Sequence, residues 1–127
     1  PNIFHTGIAV AAVANQLTYD NIYQERYMGI PSETKQDFID GSPITHAKNF
    51  KGNLLYMHGT ADDNVHFQNA TQMVTALVKA NIHFDSFYYP NKNHGIGGGP
   101  DNTTFHLWSM KTNWILKNLG NENTKKD

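Results

Sequence analysis

The sequence predicts an α/β fold in which three parallel strands alternate with helices. Three observations lead there. Apolar or aromatic runs of strand length lie at 7–14 (GIAVAAVA), 53–58 (NLLYMH) and 83–89 (HFDSFYY). Apolar residues recur at helical spacing after the second and third runs, and polar loops directly follow both. The first two runs are apolar almost throughout rather than at alternate positions, which suits strands covered on both faces, as in a parallel sheet. Strands and helices in alternation imply right-handed crossovers.

After the first strand, DNIYQERYM at 20–28 predicts a short helix with Asp20 as N-cap and Gly29 as stop. Residues 30–51 carry Pro, Gly, Ser and Asp with weak periodicity and read as irregular, with one helical turn near 33–39. Following the second strand, Phe67, Ala70, Met73, Val74, Leu77 and Ala80 define one apolar helix face over 67–79. The third strand runs into the loop PNKNHGIGGGPDN. A last helix, capped by Asp101 or Asn102, places Phe105, Trp108, Ile115 and Leu119 on its apolar face and ends at Gly120. The boundaries are one domain over 1–120 and a polar tail over 121–127.

Composition bounds the functions available. At 127 residues the chain holds one domain at most. A net charge of -1 gives no reason to expect nucleic acid as a partner. The absence of cysteine excludes disulfides, thiolate catalysis and thiolate metal sites. No apolar run approaches the roughly 18 residues of a membrane helix, and the first residues lack the basic segment of a signal peptide. Seven histidines raise the question of a metal, but no pair has H-E-x-x-H spacing and His5, His46, His83 and His106 fall on different elements. DDNVHFQNATQM fails as a calcium loop, with no glycine at position six and Met73 where a bidentate glutamate belongs. No metal and no cofactor are expected.

The chemistry concentrates in HGTADDNVHF at 58–67 and NHGI at 93–96. Both segments follow strands. In a parallel sheet they therefore share the carboxyl edge, one crossover apart. Asp62 on one loop and His94 on the next form the acid and base of a Ser-His-Asp arrangement. The carboxylate would accept from the imidazole Nδ1–H and stabilise the imidazolium formed when His94 takes a nucleophile's proton. Asp before His is the α/β-hydrolase order, with the serine expected upstream. Read without that partner, Asp62 is a loop cap or Asx-turn and His94 a polar surface residue. Asp63 reads as solvated, and His58 and His66 as hydrogen-bonding supports of the acid loop. NAT at Asn69 and NTT at Asn102 match glycosylation sequons, which alone carry no conclusion.

GIAVAAVANQLTYDNIYQERYMG, LLYMHGTADDNVHFQNATQMVTAL and FYYPNKNHGI together resemble the dipeptidyl-peptidase members of the prolyl oligopeptidase family of serine peptidases, nearly continuously over 4–119. The resemblance implies the C-terminal part of an α/β-hydrolase fold, with Asp62 as triad acid and His94 as triad base. It makes Asn64 the amide that holds the substrate's backbone carbonyl. Tyr19 and Tyr23 become walls of the pocket for a penultimate proline or alanine, with Val13 part of that wall and Val10 nearby. Tyrosine faces against a flat proline ring bury apolar area without demanding hydrogen bonds. Spacing alone would read Tyr19 and Tyr23, at i and i+4, as the core face of a helix. The family uses the Phe67 and Tyr88–Tyr89 region in dimerisation, so a homodimer or higher oligomer is expected beside a plain core role for those aromatics.

The departures point to a fragment. The chain contains no G-x-S-x-G, so the nucleophile is expected upstream with the oxyanion tyrosine and the glutamates that grip a substrate's N-terminus. Gln16 stands where the family's dipeptidyl peptidases have a large aromatic, and GIGGG follows His94. The expected parent is a serine exopeptidase releasing X-Pro or X-Ala dipeptides from peptide N-termini, and is periplasmic, secreted or membrane-anchored. Two alternatives stand beside it: an acylaminoacyl- or oligopeptidase of the same family, and a catalytically dead homologue acting as a binding protein.

Overall fold

The computed structural model describes residues 3–119; the polar tail and the helix stop at Gly120 lie outside the described residues. Strands β1 (Thr6–Val10), β2 (Asn53–Gly59) and β3 (Asp85–Tyr89) form one parallel sheet in the order β1-β2-β3. Helices α1 (Asn21–Met28) and α2 (Lys35–Asp40) and a 3₁₀ segment (Pro43–Asn49) make the first crossover. Helix α3 (Gln68–Lys79) makes the second, and α4 (Thr103–Leu119) follows β3. Among the described residues no helix is long and apolar enough to cross a membrane.

The central strand is buried from Leu54 through His58, as its unbroken apolar run requires. Side chains alternate across it. Leu54 and Tyr56 pack with Ala70, Met73 and Leu77 of α3 and with Ala47 of the 3₁₀ segment. Leu55 and Met57 pack with Ile96 and with Leu107 and Trp114 of α4. Each large apolar side chain so buried contributes about 1.5–3 kcal/mol of transfer free energy. Trp114 also donates its indole N–H to Thr6 Oγ1 at 2.7 Å, tying α4 to the start of β1. The Tyr56 hydroxyl is enclosed, and burial, with the neighbouring Tyr88, pushes its pKa to about 12.

Helix α1 follows the expected signals. The Asp20 side chain accepts from the Ile22 amide at 2.9 Å. Gly29 ends the helix at φ +82°, a conformation that favours glycine, and donates to the Glu25 carbonyl. Of the expected face of α3, Phe67, Ala70, Met73 and Leu77 pack in the core, whereas Val74 and Ala80 do not belong to that cluster.

The structure corrects three expectations. The first strand ends at Val10, because Ala11 turns to φ +49° while still donating to the Met57 carbonyl. Residues 11–19 are thereby freed to run across the carboxyl edge of the sheet. Residues 30–51 are more ordered than their weak periodicity implied, with α2 anchored by the fully buried Phe38. Helix α4 buries Leu107 and Trp114, whereas Phe105, Trp108, Ile115 and Leu119 are exposed. That helix carries two apolar stripes, and only the shape of the sheet selects between them. Of the aromatics read as core or interface residues, Tyr88 packs with Phe67 on the α3 side and Tyr89 with the α4 cluster. Adjacent strand residues face opposite ways, so Phe67 with Tyr88 and Tyr89 lie on the two faces of the edge strand β3.

Candidate active site

The three strands are parallel, so the loops that leave them meet at one edge. They are laced together there. The Thr60 amide donates to the Tyr89 carbonyl at 2.9 Å and the Ala61 amide to the Lys92 carbonyl at 3.0 Å, while Thr60 Oγ1 accepts from the Asn91 amide at 2.8 Å. Gly59 permits this approach. A Cβ at that position would lie 2.2 Å from the Lys92 carbonyl oxygen and 2.6 Å from that of Asn93, separations no real side chain tolerates.

On this framework Asp62 is almost fully buried, and both carboxylate oxygens are engaged. Oδ1 accepts from the backbone amides of Asn64 at 3.0 Å and Val65 at 2.9 Å, closing the tight turn of the loop. Oδ2 lies 2.9 Å from His94 Nδ1 and 3.1 Å from His58 Nε2. The turn-forming and charge-pairing uses of Asp62 are therefore not rivals; each takes one oxygen. A carboxylate facing Nδ1 makes that nitrogen the proton carrier and leaves Nε2 of His94 as the basic atom. The His94 side chain is 45% exposed while that of Asp62 is closed to solvent, a half-open base over a buried acid.

The His94 loop is held at both ends. Ile96, fully buried at φ +50°, anchors it in the α4-side core. Lys92 Nζ and Asp101 Oδ2 pair at 2.6 Å across the glycine-rich stretch. Hydrogen bonds from Lys92 and from Thr103 hold the Asp101 carboxyl down at about 2. A depressed carboxyl contributes order above its unfolded-state value near 4, and that contribution disappears as pH falls toward 2. Hydrogen exchange of the 95–99 amides is therefore expected to be flat from neutral pH to about 5 and to accelerate, after intrinsic-rate correction, only below about 4. Asp101→Asn should abolish that acid-dependent change.

Asn64 and Tyr19 are brought together: the Tyr19 hydroxyl donates to Asn64 Oδ1 at 2.9 Å. Tyr19 lies before the N-cap of α1, not on the helix, so helical i, i+4 geometry does not relate it to Tyr23. Their ring centroids are nonetheless 6.3 Å apart. Tyr23 is 57% exposed and Tyr19 half-buried, so neither is a core residue. Val13 sits half-buried in the segment leaving β1. The same segment carries Gln16, whose side chain accepts from that of the buried Gln24.

Sequence reasoning passed over Asn69 except as a sequon. Its side chain is buried at the start of α3, and its Oδ1 accepts from the amides of Ala14 and Asn15, each at 3.1 Å, and from Thr18 Oγ1 at 3.3 Å. It thus tethers the Tyr19 segment to the element that follows the acid loop. The sequence offered no signal for this role, since Asn69 stands among Gln68, Ala70, Thr71 and Gln72 in a mostly polar first turn. His58 supports Asp62 as expected. His66 is exposed and contributes its backbone carbonyl, which accepts from the Asn69 amide. Asp63 is exposed, as read from the sequence.

A profile of the prolyl oligopeptidase family matches residues 1–122. The dipeptidyl peptidase 4 of Felis catus is 42% identical over 118 residues, covering 89% of this chain and 15% of that protein. Prolyl endopeptidase FAP of Mus musculus is 39% identical over 116 residues, with the same two coverages. The crystal structure of Porphyromonas gingivalis dipeptidyl peptidase 4 superimposes with a TM-score of 0.86 at 46% identity, over 91% of this chain and 16% of that one. The chain thus spans about a sixth of the length of these relatives.

Proposed function

Because the chain belongs to the prolyl oligopeptidase family, we propose that it supplies the acid, the base and part of the specificity pocket of a serine dipeptidyl peptidase. The observation that carries this reading is the 2.9 Å contact between Asp62 Oδ2 and His94 Nδ1 across two strand-end loops of an α/β-hydrolase-type sheet. A serine outside these 127 residues would attack the scissile carbonyl. His94 Nε2 would take its proton and return it to the leaving amine, with Asp62 holding the tautomer.

Asn64 would meet the substrate carbonyl through its side-chain N–H₂, the donor end left when Oδ1 accepts from Tyr19. Tyr19 and Tyr23 would receive the penultimate proline or alanine, with Val13 of the preceding segment as a further part of that wall. Tyr19→Ala or Tyr23→Ala in the full-length enzyme is expected to weaken proline selection by about 1–3 kcal/mol, the scale for altering an apolar pocket. Unchanged kcat/KM ratios between X-Pro and X-Ala reporters in both variants would remove the tyrosines from the pocket.

A second reading is supported by the prolyl endopeptidase relative, nearly as similar as the dipeptidyl peptidase. The two are separated by assaying one X-Pro reporter with a free and with a blocked N-terminus. A dipeptidyl peptidase cleaves only the free form, and cleavage of the blocked form would favour an endopeptidase.

The 127-residue chain by itself is expected to be inactive and to associate. Inactivity follows from the lack of a G-x-S-x-G serine for His94 to activate. Helix α4 packs on the sheet face opposite α3, so self-association is expected through the Phe67 and Tyr88–Tyr89 region and through two further features. One is β1, an edge strand with one ladder unpaired. The other is the exposed stripe of Phe105, Trp108, Ile115 and Leu119 on α4. Light scattering on the purified chain should report a dimer or larger; a stable monomer at micromolar concentration would refute this.

A further inference from the structure

We propose that His58 is a positioning residue that holds Oδ2 of Asp62 where it meets His94. This rests on Asp62 and His94 being the acid and base of the peptidase. Two residues flank that oxygen: His94 Nδ1 at 2.9 Å and, from inside, His58 Nε2 at 3.1 Å. His58 is fully buried at the end of β2, so unlike His94 it cannot exchange with solvent or reach substrate.

Its tautomer follows from its neighbours. Nε2 also lies 2.8 Å from the Val65 carbonyl oxygen. A carbonyl and a carboxylate both accept, so Nε2 must carry the hydrogen; a lone pair there would face two oxygens. Nδ1 is then the bare nitrogen, and it is buried with no hydrogen-bond partner. An orphaned Nδ1–H in that place would carry the full desolvation cost of a donor, so the arrangement selects one tautomer. The ring itself is fixed from the side by Phe67, with centroids 5.9 Å apart. The Asp62 carboxylate accepts from three groups, two backbone amides on Oδ1 and His94 on Oδ2, while the His58 N–H that meets the Val65 carbonyl stands 3.1 Å behind Oδ2 and limits how far that oxygen can turn. His58 thus does for Asp62 what Asp62 does for His94.

The test uses the full-length peptidase and an X-Pro reporter. His58→Leu fills the space without a donor, whereas His58→Gln retains a terminal N–H. The leucine variant should lower kcat by about ten- to a hundredfold, the cost of a misplacement on the order of 1 Å, with KM unchanged. The glutamine variant should restore most of the loss. In an Asp62→Asn background, His58→Leu should lower kcat no further, because its effect passes through the carboxylate. Equal losses in leucine and glutamine variants, or a further loss in the Asn background, would overturn the positioning role. Near-normal turnover in Asp62→Asn alone would instead overturn the acid assignment, and this inference with it. The unsubstituted chain provides a measurement independent of any variant's folding. Long-range ¹⁵N–¹H correlation should show His58 protonated at Nε2 and bare at Nδ1; the opposite tautomer would refute the proposal.

Discussion

Replacing His94 by alanine in the full-length peptidase is expected to lower kcat by about a millionfold, the loss seen when the base of a serine-hydrolase triad is removed. The side chain is nearly half exposed and its backbone is held independently, by the Ile96 anchor and by Asn93, whose carbonyl accepts from the Ile96 amide at 3.1 Å. Alanine therefore removes the imidazole without withdrawing a core group, and the protein should stay folded. Asp62 keeps its two turn amides and its contact to His58. The loss should fall in kcat, because His94 acts on the proton in flight rather than on bound substrate. Far-ultraviolet dichroism and thermal unfolding close to those of the parent, together with lost hydrolysis of an X-Pro reporter, form the expected pair of results. Near-normal hydrolysis would refute the assignment.

The second large effect is expected for Asp62→Asn, a fall in kcat of about four orders of magnitude. The substitution is nearly isosteric and separates the two uses of this side chain. Asparagine Oδ1 can still accept from the Asn64 and Val65 amides, so the turn persists and the chain remains folded. At the Oδ2 position an amide N–H₂ replaces an acceptor. It presents a donor to His94 Nδ1, which favours the tautomer with the proton on Nε2, the atom that should be the base. The imidazolium formed during turnover also loses its counter-charge. Turnover within about tenfold of the unsubstituted enzyme, well short of the expected loss, would show that the 2.9 Å contact is structural only.

Much of this arrangement was legible in the residues because it depends on local pattern and on the rules of parallel sheets. Asp20 and Gly29 bound α1 as their capping chemistry requires. Six consecutive buried residues in β2 follow from a run with no polar alternation. Once the strands are parallel, Asp62 and His94 must arrive at the same edge, whatever their surroundings.

Other features turn on contacts between segments distant in sequence. The packed face of α4 is one. Leu107 and Trp114 compete with Phe105, Trp108, Ile115 and Leu119, and both stripes satisfy helical spacing; the sheet and Thr6 decide between them. The early end of β1 is another, since GIAVAAVA gives no sign that Ala11 leaves the ladder. Residues 11–19 are drawn away by Asn69, 54 or more positions beyond the amides it binds. His58 shows the division most plainly. The sequence by itself determined that a histidine stands beside the acid loop, four residues before Asp62. Only the tertiary structure decided that its Nε2 shares Oδ2 with His94, because that depends on a turn closed by Oδ1 and on a loop brought in from beyond β3. Spacing along a chain sets which residues can meet; the hydrogen-bonding atoms left over after folding set which of them do.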